Sequence, residues 1–403
     1  MIAKRARRRR ILVDMPAPEI KVRAALRHRR LLEAERLRRE RASVAAKAAS
    51  ACASVQRGTE ATLARGFHAL RRGARASIAA VDRLLTKTPA AAVAERRDKP
   101  FLVVGHRGAP RKRVENTLPA MQQAILDGAN AVEIDLSMTK DGVIVLWHDW
   151  DPNDVVSLAR QLGLEGGKFL PRAPKYWSAA RRRAHELSLD ELRAHYGYQR
   201  SLFFFFRKAV EAQIPTLRDF FEWAVREERL AAVFLDVKIP PDCEELAEPF
   251  VKRCTALIDE FAPRFACVFM TPHKNILRAM KPHAPRHAFS WDIEIAPGIV
   301  VDEERFSGVR AAVQEANAIA SIGRPALTFG AWRLYESIIE RDVAALRAHE
   351  GKKDAPVERL ISWTINARGE HKRLLRLGVD GILTDYPRRL ERLVRREHGT
   401  ARR

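Results

Sequence analysis

Several short stretches of this 403-residue chain place ionisable side chains among apolar ones. In Ala131-Val-Glu-Ile-Asp-Leu136 the carboxylates of Glu133 and Asp135 are two positions apart, so on a strand they share one face. Like charges held that close repel unless a cation or strong donors lie between them, and oxygen ligands so arranged suit Mg²⁺ or Ca²⁺. Asp236 and Lys238 repeat the alternation in Val233-Phe-Leu-Asp-Val-Lys238, where a structural ion pair is the competing explanation. His106 and Arg107 directly follow the apolar run 101–105, and His148-Asp149 follows the run 143–147. Histidine, with an unperturbed pKa of about 6.5, suits proton transfer in both directions. Taken singly, each group has a bland structural explanation. Their shared position at the ends of apolar runs points to one catalytic site.

The apolar runs must be strands for this reading to hold. They fall at 101–105, 131–136, 143–147, 232–237, 267–270, 288–291, 326–329, 360–365 and 381–383. Helical patterns lie between most of them, at 116–126, 216–228, 243–261, 274–280, 332–348 and 370–377. Such alternation implies a parallel sheet, and its length suits a single (β/α)₈ barrel with insertions, a doubly wound open sheet being the competing architecture. In a barrel the C-terminal strand ends open onto one face, where His106 and His148 would lie. The stretch 150–187 is polar, rich in Pro and Gly and without a continuous period, as expected of an insertion or lid. Its Arg181, Arg182 and Arg183 read as a solvated helix face, with an anionic ligand as the second reading.

The formal charge of +23 is unevenly distributed: residues 1–99 hold 26 Lys or Arg against 9 Asp or Glu, a net of +17. This leader is Ala-rich and helix-prone, with a narrow apolar stripe at Leu63, Phe67 and Leu70. A solvated, partly disordered extension is the first reading, and peripheral contact with anionic membrane the second. Nucleic acid is disfavoured, because aromatics are nearly absent from the basic stretches. The run Ile11-Leu-Val13 is too short for a secretory signal, and no stretch approaches the roughly 18 apolar residues of a membrane span. The four cysteines form no CxxC or zinc spacing and read as reduced thiols of a cytoplasmic protein.

The motifs Gly105-His-Arg-Gly108, Val114-Glu-Asn-Thr117, Glu133-Ile-Asp135, Thr139-Lys-Asp-Gly142 and His148-Asp149 resemble those of the glycerophosphodiester phosphodiesterase family. Ile214-Pro-Thr-Leu217, Asp236-Val-Lys238, Trp363-Thr-Ile-Asn366 and Gly378-Val-Asp-Gly-Ile-Leu-Thr-Asp-Tyr-Pro387 continue the match in order, over about 100–392. The resemblance implies a (β/α)₈ barrel that hydrolyses glycerophosphodiesters, or lysophospholipids, with a divalent metal on Glu133, Asp135 and Asp236. It further implies His106 and His148 as general acid and base, Arg107 and Lys238 as phosphate binders, Asn116 as an ordering residue and Trp363 at the glycerol end. Three departures are visible: Val114 in place of the usual Pro, after an extra Arg111-Lys-Arg113; the shorter Asp236 as third acid; and no Leu-x-Arg-Thr-Thr after His148-Asp149. The expected organisation is an extension (1–99), a catalytic barrel (100–392) with its insertion (150–187), and a basic tail (393–403). Alternatives are a phospholipase-D-like or sphingomyelinase-D-like enzyme, or a catalytically silent barrel tethered to membrane or nucleic acid by the leader.

Overall fold

The computed structural model describes residues 99–397, apart from 166, 204–205, 295–306, 325–331 and 349–356. The leader up to residue 98, with its apolar stripe, and the expected strand at 326–329 lie outside the described residues. The chain begins with β1 (Leu102–Gly105), α1 (Leu118–Leu126), β2 (Ala131–Met138) and β3 (Ile144–Leu146). Next come α2 (Val155–Leu162), β4 (Phe169–Arg172), α3 (Leu189–His195), β5 (Gly197–Phe203), β6 (Phe206–Val210) and α4 (Leu217–Ala224). Strands and helices then alternate strictly: β7 (Ala232–Val237), α5 (Ala247–Phe261), β8 (Ala266–Thr271), α6 (Lys274–Met280), β9 (Ala288–Glu294) and α7 (Gly308–Gln314). The series ends with β10 (Ile319–Gly323), α8 (Trp332–Ala348), β11 (Arg359–Trp363), α9 (Arg368–Leu377), β12 (Gly381–Thr384) and α10 (Pro387–Glu397).

Strands β1, β2 and β7 to β12 pair in parallel, and β1 bonds to β2 on one side and to β12 on the other. That double pairing closes eight strands into a (β/α)₈ barrel and removes the open-sheet alternative. The run 143–147, read as another strand, contributes only β3, which pairs antiparallel with the end of β2 and stays outside the barrel. The period of two divides each barrel strand between two environments. Val132, Ile134 and Leu136 on β2, with Val233 and Leu235 on β7, pack beneath the helices. Ala131, Phe234, Val268 and Ile361 fill the lumen instead. The last helix buries Leu390 and Leu393, so the ordered domain runs past residue 392 into the stretch read as a tail. Among the described residues, no helix is long and apolar enough to cross a membrane. Cys243, Cys254 and Cys267 are free thiols.

Candidate active site

In the lumen-facing rows of β2 and β7, apolar residues give way to charge toward the C-terminal strand ends. Ala131 is followed by Glu133 and Asp135, and Phe234 by Asp236. The register sets Asp135 opposite Asp236, and one carboxylate oxygen from each of the three acids lies within 4.8 Å of the others. Glu133 and Asp135 are fully buried, which is costly for carboxylates without partners. Arg107 Nε stands 2.9 Å from Asp135 Oδ2, and Lys238 Nζ stands 2.9 Å from Asp135 Oδ1 and also contacts Asp236. Asn116 donates to Asp135 Oδ2 at 2.6 Å and accepts from its backbone N–H at 3.1 Å, while the Arg107 N–H donates to Glu133 Oε2 at 2.8 Å. Two oxygens, Glu133 Oε1 and Asp236 Oδ1, remain buried with no hydrogen-bond partner.

Electrostatics divide the three acids unequally. Burial pushes Glu133 far above the usual carboxylate range, and the neighbouring Asp135 and Asp236 push it further. Burial would also raise Asp135, but Arg107 and Lys238 outweigh it and hold Asp135 well below that range. Burial raises Asp236 against the pull of Lys238. An all-oxygen acid cluster with two unpartnered oxygens matches the donor set of a hard dication, so Glu133, Asp135 and Asp236 fit Mg²⁺ or Ca²⁺.

The loop after β1 is held in unusual backbone geometry. Arg107 (φ 50°) and Asn116 (φ 52°) both lie in the left-handed region, which non-glycine residues seldom adopt and which carries strain. The Asn116 N–H donates to the Arg107 carbonyl, tying the two together. Gly108 has φ 84°, and a Cβ there would sit 2.6 Å from the Ala120 backbone, so the glycine permits the loop to lie against α1.

Each histidine is oriented by a carboxylate. His106 Nδ1 lies 2.7 Å from Asp385 Oδ1, and His148 Nδ1 lies 2.8 Å from Asp149 Oδ1. A carboxylate accepts, so each Nδ1 carries a proton and each Nε2 is the ring atom left to take or give one. Asp385 is itself fixed by Asn366 (2.9 Å) and Arg111 (2.9 Å), and Asp149 by Arg160 (2.7 Å). Burial, reinforced by the charge of Lys238, lowers His148 well below the ordinary histidine range. Both histidines, Arg107, Lys238 and Trp363 line one cavity of about 910 Å³, while Asn116 sits behind Asp135.

The insertion closes one side of this cavity through Phe169, Leu170 and Pro171, and also supplies Arg160 and Glu165. Buried Arg160 bonds Asp149, Glu115 and Glu165, and Glu165 also reaches Arg107 Nη1 at 3.2 Å. The expectation for Arg181, Arg182 and Arg183 is corrected: they lie outside any helix, and none lines the cavity. Instead they staple the insertion, Arg181 to Asn153 and the Pro152 carbonyl, Arg182 to Glu191, and Arg183 to Asp151 and Asp242. Sequence reasoning missed Arg160, Glu165 and Asp292, a buried carboxyl on β9 that also lines the cavity. Asp292 carried a usable signal, an acid within an apolar strand, whereas Arg160 carried none.

The "Glycerophosphoryl diester phosphodiesterase family" model matches residues 106–389. A Caldanaerobacter subterraneus relative named glycerophosphodiester phosphodiesterase is 25% identical over 301 residues, covering 73% of this chain and 98% of its own length. An uncharacterized Bacillus subtilis protein is 22% identical over 300 residues, covering 73% of this chain and 99% of its own. Among solved structures, one described as a glycerophosphoryl diester phosphodiesterase of Silicibacter pomeroyi shares the fold, with a TM-score of 0.57 at 20% identity, covering 75% of this chain and 96% of that one. With 106–389 spanning strands β2 to β12 and every residue that lines the cavity, this chain belongs to the glycerophosphoryl diester phosphodiesterase family of phosphoric diester hydrolases.

Proposed function

We propose that this chain cleaves glycerophosphodiesters to glycerol phosphate and an alcohol, using a divalent metal held by Glu133, Asp135 and Asp236 and two histidines as acid and base. The observation that carries the reading is the convergence, in one cavity, of a three-acid cluster with unpartnered oxygens, two cations and two carboxylate-oriented histidines. When bound, the dication would supply positive charge for the non-bridging phosphate oxygens. Arg107 and Lys238 add fixed positive charge beside the same position, Arg107 through a planar fork and Lys238 as a point charge. Neutral His148 fits the base that takes the proton from the nucleophile, because burial disfavours its charged form. His106, paired with Asp385, fits the acid that returns a proton to the leaving alkoxide. Trp363 offers an apolar wall to the glycerol part. Neither a sphingomyelinase-D-like enzyme nor a silent barrel gains support from the family match.

The test is turnover of glycerophosphocholine. Chelation should abolish it, and Asp135→Ala should abolish it beyond rescue by excess Mg²⁺ or Ca²⁺. His106→Ala and His148→Ala should each cost about 10²- to 10⁴-fold in kcat. Undiminished turnover with chelator present would overturn the metal assignment, and wild-type kcat in either histidine variant would remove that residue from its role.

A further inference from the structure

We propose that the groove formed by α10 and the loop after β1 is an anion-binding extension of the catalytic cavity, which takes a second phosphate carried by the substrate. The proposal rests on the reading that the chain hydrolyses glycerophosphodiesters. The groove encloses about 530 Å³ and is lined by seven Lys or Arg side chains against two carboxylates, Asp127 and Asp385. Both carboxylates are already engaged, Asp127 by Lys112 at 2.6 Å and Asp385 by His106 and Arg111. The net positive charge of the groove is therefore not neutralised from within.

Helix α10 supplies much of that charge in a form that disfavours the helix itself. Arg388, Arg392 and Arg396 stand at i, i+4 and i+8, on one face, where like charges destabilise a helix. None of the three has a carboxylate within ion-pair distance among the described residues, whereas Arg395 on the same helix is paired with Glu391. A purely solvated helix face would gain from acids at those intervals, so an uncompensated row facing a concavity points to an anion from outside.

The groove is continuous with the cavity where catalysis is proposed. Arg111, Asp385, Tyr386 and Arg389 line both. Tyr386 forms the junction, with the Arg389 guanidinium 4.1 Å and that of Arg111 5.3 Å from its ring centroid. A diester with a single charge can be met by Arg107 and Lys238 alone, so a second cluster leading off the same cavity suits a substrate with a second anionic group. A phosphomonoester is the natural match, because several guanidinium forks can each give it two parallel hydrogen bonds.

Glycerophosphoinositol and glycerophosphoinositol 4-phosphate differ by one such group and make a matched pair. At low salt, kcat/KM should favour the phosphorylated compound by about tenfold, and the preference should collapse toward about 0.5 M salt, where the Debye length is only a few ångströms. The double variant R392Q/R396Q should lose the preference while staying within about twofold of wild type on glycerophosphoinositol, since these exposed side chains touch none of the histidines or acids. Equal kcat/KM for the two substrates in the wild-type protein, or a preference that survives in the variant, would overturn the proposal. If that variant fails to fold, as judged by circular dichroism, R388Q replaces it under the same criteria. Calorimetric titration with inositol 1,4-bisphosphate decides the groove without turnover: wild type should bind, and the variant should bind at least about fivefold more weakly. A protein that turns over no glycerophosphodiester yet shows this difference sinks the hydrolase reading alone. Loss of binding to phosphatidic acid vesicles in the variant, with the bisphosphate titration unchanged, would overturn the small-anion site in favour of a lipid surface.

Discussion

At the scale of single residues, Arg160 connects the insertion to the candidate site. Its guanidinium is 2% exposed and meets three carboxylates, one of which, Asp149, orients His148. Burial drives Asp149 well above the usual carboxylate range and Glu115 up to about 8, while the charge of Arg107 pulls both back. Truncating Arg160 would break its buried ion pairs with Asp149 and Glu115, a change that costs about 3–5 kcal/mol. Arg160→Ala should therefore lower unfolding stability by about that amount in urea titrations and also lower kcat, with Arg160→Lys recovering part of both. A loss below about 1 kcal/mol would show that Asp149 finds another partner. The acids themselves were legible in the sequence, because carboxylates alternating within apolar strands have few structural uses. Their orienting partners were not. Asp385 lies 279 residues from the His106 that it orients, and no local pattern joins two such positions.

At the scale of elements, the neighbouring strands β10 and β11 place Trp363 at the cavity. Gly323 is its register partner, and a Cβ on Gly323 would fall 2.6 Å from the indole ring. A rigid indole cannot absorb that approach by rotation alone. Gly323→Ala should displace Trp363 and raise KM for glycerophosphocholine several-fold, with kcat changed less, and should destabilise the barrel by about 1–3 kcal/mol through overpacking. Steady-state kinetics with a parallel Tm measurement test this, and an unchanged KM would remove Trp363 from substrate contact. Most barrel strands were legible from their period of two. Strand β10, Ile319–Gly323, was not, since its small residues, Ala320 and Ser321 among them, carry little hydrophobic contrast. Nor was the antiparallel sheet of β4, β5 and β6, whose order comes from mutual pairing and from contacts with Trp147, which meets the Tyr198 ring edge-on at 5.4 Å.

For the whole molecule, closure makes the stability of the barrel shared among its elements, and one buried histidine should reveal it through pH. His371 on α9 is fully buried; its Nε2–H donates to the Ile365 carbonyl at 2.9 Å, and its Nδ1 has no partner. Burial lowers it from an ordinary 6.5 to about 4. Across that interval the unfolded chain takes up a proton that the folded chain refuses. Stability that is complete above pH 6.5 is thus lost as pH falls toward 4, by at most about 3 kcal/mol, and His371 removes no more below that. The Gln amide can keep the bond to Ile365 without titrating, so His371→Gln should flatten the fall in Tm between about pH 6.5 and 4. An unchanged slope would assign the acid sensitivity to other groups.

By itself the sequence determined the alternation of strands and helices and the residue types of the candidate site. Both follow from local rules: a period of two, a period of 3.6, and the cost of placing charge in apolar strands. Tertiary structure alone decided that the sheet closes, because closure depends on β1 meeting both β2 and β12. It decided which carboxylate holds which histidine, and that an arginine row on the last helix opens into the same cavity. Each of these is a contact between residues distant in the chain, whose existence depends on three-dimensional packing rather than on any local pattern.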